Sequence, residues 1–136
     1  MKTERVFSIK ELPEVVAELL PFLPWGSLVG FSGDLGAGKT TLIREIVSQL
    51  KSPVAASSPT YVLEHVYPTK EGEIHHWDLY RIANAPVELF ESIGTHSLTL
   101  VEWPERDEEL ASQLDLLVTL QLLDENTRKI TVETHR

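Results

Sequence analysis

Residues 33–40 have the composition and spacing of a loop that binds phosphate. They read Gly-Asp-Leu-Gly-Ala-Gly-Lys-Thr and match the pattern G-x-x-x-x-G-K-S/T at every defined position. The glycines allow backbone N–H groups to curl around a phosphate without Cβ clashes. We expect Lys39 to neutralise the β and γ phosphate oxygens of a nucleoside triphosphate. The hydroxyl of Thr40 is expected to ligate Mg²⁺.

An acidic side chain usually completes the metal shell of such a loop, and it lies at the end of an apolar strand. Two residues fit that description. Asp78 ends the run His-His-Trp-Asp, and Glu102 ends the run Leu-Thr-Leu-Val-Glu shortly before a proline. We therefore predict that Asp78 and Glu102 ligate the metal together with Thr40 and take part in catalysis.

Two further segments could bear on the site. Residues 57–60 (Ser-Ser-Pro-Thr) follow the predicted helix of the loop, where related nucleoside triphosphatases keep a segment that senses the γ-phosphate. On spacing alone, a sensing segment and an ordinary Ser/Pro loop are equally good interpretations. His75 and His76 are adjacent on a predicted strand, so they point to opposite faces and cannot easily share one metal. A structural role, or contact with a metal ligand, fits them better.

The phosphate loop needs a strand before it and a helix after it, and the sequence predicts both. Residues 27–32 read as a short strand, and residues 39–50 carry apolar side chains on one helical face. A capping box of Ser8 and Glu11 precedes a helix expected to start near Leu12. Asn84 is predicted to cap a later helix. Further strands are predicted at 5–8, 61–67, 73–80, 97–103, 116–123 and 128–133, with helices at 86–93 and near 107–114. We therefore expect one α/β domain over residues 1–136, with a central mixed sheet flanked by helices.

Composition narrows the classes of protein. Of 136 residues, 42% are hydrophobic and 24% are charged, which is typical of a globular chain. A net charge of −9 opposes non-specific binding to nucleic-acid phosphates. The absence of cysteine excludes disulfides, thiolate zinc sites and thiol catalysis. No signal peptide and no apolar run near 18 residues long is visible. We expect a cytoplasmic protein without a membrane partner.

Four segments, in this order and at fitting distances, resemble the TsaE (YjeE) family of bacterial ATPases, which act in the biosynthesis of threonylcarbamoyladenosine in tRNA. They extend the phosphate loop by Thr41 and add three signatures that are more specific than the loop itself. The segments are residues 33–41, Ser-Pro-Thr-Tyr at 58–61, His-Trp-Asp-Leu-Tyr-Arg at 76–81 and Val-Glu-Trp-Pro at 101–104. The resemblance extends from about residue 5 to residue 133.

The resemblance implies a small P-loop fold, weak hydrolysis of ATP with Mg²⁺, and a supporting role beside the TsaB and TsaD proteins. In the family, TsaD places a threonylcarbamoyl group on the adenosine next to the anticodon, so tRNA is reached only through that complex. The resemblance also implies that Thr60 is the threonine of the segment that senses the γ-phosphate and that Arg128 lies near the nucleotide. The nucleotide-binding residues implied are Gly33, Asp34, Leu35, Gly36, Ala37, Gly38, Lys39, Thr40, Thr41, Thr60 and Arg128.

Three other classes share parts of this pattern. A small-molecule kinase would use the same loop, but it normally needs an arginine-bearing lid and an acceptor pocket, for which 136 residues leave little room. A GTPase would carry an Asn-Lys-x-Asp motif, which this sequence lacks. A nucleotide-binding adaptor without turnover has no distinguishing motif, so only a turnover measurement separates it from an ATPase.

Overall fold

Seven strands and four α-helices occupy residues 1–53 and 64–135, the part of the chain that the computed structural model describes. The strands are β1 (Lys2–Ser8), β2 (Leu28–Ser32), β3 (Glu64–Pro68), β4 (Glu73–Asp78), β5 (Ser97–Glu102), β6 (Leu116–Asp124) and β7 (Thr127–Thr134). The helices are α1 (Leu12–Leu19), α2 (Lys39–Gln49), α3 (Val87–Ser92) and α4 (Glu108–Ser112). Short 3₁₀ turns occupy Ile9–Glu11, Leu20–Phe22 and Pro104–Arg106.

The strands form one mixed sheet in the order β1-β7-β6-β2-β5-β4-β3. Its centre is parallel, because β2 pairs in parallel with both β5 and β6, and β5 pairs in parallel with β4. Antiparallel pairs complete the two edges. The expected α/β fold with a central mixed sheet is confirmed. The carboxyl ends of β2, β4 and β5 meet at one edge of the sheet, where ligands of open α/β sheets bind.

Helices cover both faces of the sheet. On one face, α1 and α2 pack over buried residues of the central strands such as Val29, Phe31 and Leu100. On the other face, α3 and α4 pack over a smaller cluster that includes Val101. Neighbouring residues of one strand therefore face different clusters, as the alternation of side chains along a strand requires. The larger cluster anchors α2, the helix that follows the phosphate loop.

Several predicted boundaries shift for identifiable reasons. The capping box of Ser8 and Glu11 is present, but it opens the 3₁₀ turn, and α1 begins at Leu12 as expected. β4 ends at Asp78 rather than at residue 80, because the Asp78 carboxylate accepts a hydrogen bond from the backbone N–H of Tyr80 and starts a turn. β5 ends at Glu102 because Trp103 adopts left-handed backbone angles.

The predicted cap of α3 is wrong. Pro86 occupies the cap position, not Asn84, and the helix begins at Val87. The backbone N–H of Ala85 donates to the carboxylate of Asp107, which ties this segment to the start of α4 instead of letting it turn into α3. No helix in the described ranges is long and apolar enough to cross a membrane.

Asp107 joins two elements through one carboxylate. One of its oxygens accepts from the backbone N–H of Leu110 at 3.0 Å and caps α4, and the other accepts from Ala85 at 2.7 Å. These two hydrogen bonds, first Leu110 and then Ala85, hold the pKa of the Asp107 carboxyl below its ordinary value. The ionised form is thus favoured in the folded state.

We predict that Asp107→Ala lowers the free energy of unfolding at pH 7 by about 1–3 kcal/mol, because two backbone donors lose their acceptor. The folded pKa is depressed, so this contribution is complete above the unfolded pKa of about 3.9 and is lost as the pH falls through the folded value. Urea unfolding at pH 7 and pH 3 should show the difference shrink in acid. The exposed neighbour Glu108, changed to Ala, is the control and should shift stability by less than about 0.5 kcal/mol. An equal effect of both variants at pH 7 would contradict the bridging role.

Candidate functional site

The phosphate loop connects the end of β2 to the start of α2, and its glycines fit this path closely. Gly33 has a φ of 137°, and a Cβ added there would lie 2.3 Å from the backbone oxygen of Leu120 in β6. Gly38 has a φ of 104° and is the N-cap of α2. By contrast, a Cβ at Gly36 would meet no atom of residues 1–53 or 64–135 within 4 Å. The loop is therefore pressed against β6 at one end and open to a ligand at its tip.

Lys39 begins α2 and folds back over the loop. Its ammonium donates to the carbonyl oxygen of Gly33 and, at 3.2 Å, to that of Asp34. The same nitrogen lies 3.9 Å from the centroid of the Trp103 ring. Burial lowers the pKa of Lys39, although the nearby carboxylates, Glu102 first among them, favour the charged form. In this position the ammonium is aimed at the space that the loop encloses.

The two predicted acids meet in front of the loop. Asp78 and Glu102 are register partners at the ends of the parallel strands β4 and β5, so their side chains share one face of the sheet. Both oxygens of Glu102 lie close to the hydroxyl of Thr40, at 3.1 and 3.2 Å. Burial raises the pKa of Asp78, and the charge of Glu102 adds to this effect, while the Tyr80 hydrogen bond opposes it. The structure thus brings Lys39, Thr40, Asp78 and Glu102 together.

These side chains line a cleft of about 330 Å³. The predicted loop residues Asp34, Leu35, Gly36, Gly38 and Thr41 line it as well. Gly33 lies beneath the loop, beside β6. Its carbonyl oxygen accepts a hydrogen bond from Lys39.

Sequence reasoning missed two aromatic residues of this cleft. Tyr80 and Trp103 line it, with ring centroids 4.9 Å apart and planes inclined by 44°. Trp103 also packs against the smaller core cluster. Its left-handed φ of 62° turns it toward Lys39. Their nearness in sequence to Asp78 and Glu102 was the signal available.

Arg128 lies beside the loop rather than in the cleft. Its guanidinium donates to the carbonyl oxygen of Ala37 in the loop at 3.2 Å and to carbonyls of the β6–β7 turn. It also lines a second hollow of about 190 Å³, which shares Gly38 and Thr41 with the cleft. The remaining lining of this hollow is Phe7, Ile9, Leu12, Ala37 and Leu120. The predicted switch residues 57–60, including Thr60, lie outside the described residues.

The adjacent histidines separate as the strand predicts. His75 forms a pair with Glu64 at 2.7 Å and a longer one with Glu73 at 3.4 Å. His76 faces the opposite way, is buried, and lies 2.7 Å from an oxygen of Glu102. The expectation that they do not share a metal agrees with this arrangement.

Fold and site together define the class of protein. It is a small α/β protein whose central parallel strand leads into a Walker A loop, with acids at the ends of the neighbouring strands. A solved structure supports the fold: YdiB from Bacillus subtilis superimposes with a TM-score of 0.71 at 22% identity, covering 98% of this chain and 86% of that chain.

A family model described as "Threonylcarbamoyl adenosine biosynthesis protein TsaE" matches residues 6–130. The chain belongs to the TsaE family. It is 36% identical over 124 residues to the tRNA threonylcarbamoyladenosine biosynthesis protein TsaE of Aquifex aeolicus, covering 90% of this chain and 86% of the relative. It is 38% identical over 104 residues to the protein of that name from Haemophilus influenzae, covering 72% and 65%. The family resemblance is confirmed.

The contact of the loop with β6 is testable by a pair of glycine variants. Gly33→Ala should destabilise the fold by about 2 kcal/mol more than Gly36→Ala. Both glycines have positive φ, so both variants carry backbone strain, but within the described part of the chain only the Cβ at position 33 meets a backbone oxygen. Urea unfolding of the two variants beside the wild type measures the difference. If both lose the same stability, the loop is not held against Leu120.

Proposed function

We propose that this chain binds ATP with Mg²⁺, hydrolyses it slowly, and supports a TsaB–TsaD complex in the threonylcarbamoyl modification of tRNA. The modified base is the adenosine next to the anticodon, and the setting is the cytoplasm. The observation that carries the proposal is the convergence of Lys39, Thr40, Asp78 and Glu102 in one cleft at the Walker A loop. Membership of the TsaE family supports the biological process.

The loop supplies the groups that bind the phosphates. The first N–H groups of α2 have no acceptor within the helix, and the positive end of the helix dipole favours an anion beside them. The Lys39 ammonium donates hydrogen bonds to the carbonyl oxygens of Gly33 and Asp34. A phosphate oxygen is a charged acceptor and therefore a stronger partner than either carbonyl. Lys39 is thus expected to exchange these carbonyls for the phosphates.

The oxygen atoms of the cleft suit a magnesium ion. Within the described residues, no group of three or more His, Cys, Asp or Glu side chains is arranged to hold a metal without help. Mg²⁺ does not need one, because it typically takes one or two carboxylates and completes its shell with water and substrate phosphates. When bound, it neutralises charge on the phosphates. Thr40, Glu102 and Asp78 are the residues that would hold it.

Asp78 is better placed than Glu102 to orient the attacking water. Glu102 is engaged by both Thr40 and His76. Among the described residues, Asp78 accepts one hydrogen bond, from the backbone of Tyr80, and its carboxylate lines the cleft. Burial raises its pKa toward the range in which a carboxylate accepts a proton more readily. Asp78 therefore positions the water in addition to its place in the metal shell, while Glu102 serves the metal alone.

The second hollow suits the nucleoside end of ATP. It adjoins the cleft through Gly38 and Thr41, so a nucleotide with its phosphates in the loop would reach it. Its lining is mostly apolar, which favours the flat face of a base. Arg128 holds one wall in place through the Ala37 carbonyl. We place the adenine against Phe7, Ile9 and Leu12.

Slow hydrolysis is expected because no arginine of the described residues lines the cleft to stabilise the transferring phosphate. An arginine supplied to the transferring phosphate by a partner is worth about 10³–10⁵ in rate. The acidic chain, with its net charge of −9, is also suited to a basic partner surface. Both features favour activation by a protein complex.

We predict that Lys39→Ala nearly abolishes ATP binding, because the main positive charge at the phosphates is lost. Titration of a fluorescent ATP analogue should show at least about a 100-fold loss of affinity. Lys70→Ala, an exposed lysine in the turn between β3 and β4, is the matched control and should bind as the wild type does. Equal affinity of Lys39→Ala and the control would refute the assignment of the loop.

The rate of phosphate release is predicted to be low for the isolated protein and to rise about 10-fold or more when TsaB, TsaD and tRNA are added together. Asp78→Asn should bind the nucleotide but show no such rise, whereas Glu88→Gln, an exposed acid on α3, should behave as wild type. A high rate without partners would indicate a self-sufficient enzyme. Tight binding with no release under any condition would indicate an adaptor.

A further inference from the structure

His76 is a buried polar side chain that phosphate binding does not by itself require. It lies inside β4 with only 1% of its side chain exposed. Its Nε2 atom is 2.7 Å from an oxygen of Glu102, while its Nδ1 atom is buried and has no hydrogen-bond partner among the residues that the structure describes. On the same face, its neighbours Ile74 and Leu100 are fully buried and apolar, and His65 of β3 lies opposite it in the register. An apolar residue would fill this place without leaving a nitrogen unsatisfied.

The register of the sheet explains why His76 reaches Glu102. In the β4–β5 pair, Asp78 lies opposite Glu102, and His76 lies opposite Leu100. Since side chains two residues apart share a face, His76 is the diagonal neighbour of Glu102, within reach of a long side chain. His75 points to the other face and contacts Glu64 instead. Only one histidine of the pair can serve the cleft.

The unpartnered Nδ1 indicates which nitrogen carries the hydrogen. If Nε2 carries the hydrogen, it donates to Glu102, and the lone pair of Nδ1 is then an acceptor without a donor. A hydrogen on Nδ1 would leave a buried donor without an acceptor and would set two acceptors, Nε2 and the carboxylate, against each other. The arrangement in the fold is therefore a donor at Nε2 of His76 and an acceptor at Glu102.

We propose that His76 is a positioning residue for the metal site: its Nε2–H bond holds the Glu102 carboxylate in the orientation that faces Thr40. This inference rests on the proposed function, in which Glu102 and Thr40 hold Mg²⁺. The Thr40 hydroxyl donates its hydrogen to the held carboxylate, which leaves its oxygen lone pairs free for the ion. His76 thereby sets the directions of two oxygen ligands while touching neither the ion nor the nucleotide.

Without His76, the buried Glu102 carboxylate would lose its strongest neighbouring donor. The carboxylate of Asp78, which lies opposite Glu102 in the register, repels the carboxylate of Glu102. The ammonium of Lys39 attracts it. A carboxylate drawn toward Lys39 would compete with the phosphates for the ammonium and would leave Thr40. Partners of a metal ligand that fix its orientation typically change metal affinity or activity by about 10- to 100-fold when removed.

Two amide substitutions separate positioning from packing. His76→Gln places an amide nitrogen the same number of bonds from Cα as Nε2, so it can still donate to Glu102. His76→Asn places its amide nitrogen at the position of Nδ1, where it cannot reach the carboxylate. Both variants are polar and of similar size, and urea unfolding of each reports any loss of stability. His75→Asn, on the opposite face, is the matched control.

The first readout is the Mg²⁺ dependence of binding of a fluorescent ATP analogue. In EDTA, all variants should bind it within about two-fold of the wild type, because the phosphate loop is intact. The Mg²⁺ concentration that gives half of the maximal Mg²⁺-dependent change in affinity for the analogue should rise about 10- to 100-fold in His76→Asn. It should rise no more than about three-fold in His76→Gln or His75→Asn. In the hydrolysis assay, kcat should fall in His76→Asn while KM changes little.

The second readout needs neither metal nor nucleotide. Long-range ¹H–¹⁵N NMR spectra of the imidazoles, with the His76 signals identified by their absence in His76→Gln, should show the hydrogen on Nε2. Glu102→Gln should shift that signal. A hydrogen on Nδ1 would overturn the proposal, and so would a folded His76→Asn variant with the Mg²⁺ dependence of the wild type. Equal losses of Mg²⁺ affinity in His76→Gln and His76→Asn, in proportion to their losses of stability, would also overturn it. If the wild type binds Mg²⁺ and nucleotide without hydrolysing, the proposed function fails while these readouts still decide the role of His76.

Discussion

The parallel pairing of β2, β5 and β4 is the constraint on which the site depends. Because these strands run the same way, their carboxyl ends reach one edge of the sheet, and the loop after β2 meets the acids that end β4 and β5. Burial of the strands between two layers of helices fixes their register, since a slip of one residue would turn every core side chain to the wrong face. The same register sets Asp78 opposite Glu102 and His76 diagonal to it. The stability of the core and the geometry of the cleft thus have one origin.

The charged groups of the cleft are wholly or partly buried: Lys39 and Glu102 are buried, and Asp78 is half-buried. Burial lowers the pKa of Lys39 and raises that of Asp78, so both groups are shifted toward their neutral forms. The neighbouring carboxylates oppose the shift of Lys39, and the Lys39 charge opposes that of Asp78. A triphosphate and a divalent cation would add charge of both signs at once. On the proposed function, ligand binding would stabilise the charged forms that hydrolysis needs.

Much of the fold follows from local sequence signals. Apolar periodicity predicts the order of strands and helices, and the complete loop motif predicts Lys39 and Thr40 at the site. The predictions that failed depend on contacts between distant residues. Asn84 is a good cap by type, but a hydrogen bond from Ala85 to Asp107, 22 residues away, decides where α3 begins. The contact of His76 with Glu102 could not be predicted either. Alternation of side chains along a strand shows that His75 and His76 face opposite sides of the sheet, but not which side α2 covers. That depends on the order of strands in the sheet.

The contact between Gly33 and β6 restricts which second substitutions could compensate for a change at position 33. The atom that excludes a side chain at position 33 is the backbone oxygen of Leu120, and every amino acid carries that oxygen. No replacement of Leu120 can therefore make room, and a pairwise compensating change of the kind that rescues a crowded core is closed to this position. A suppressor would have to displace the whole strand, which is held on one side by β2 and on the other by β7. The glycine is thus locked by the main chain of a strand that lies outside the motif itself.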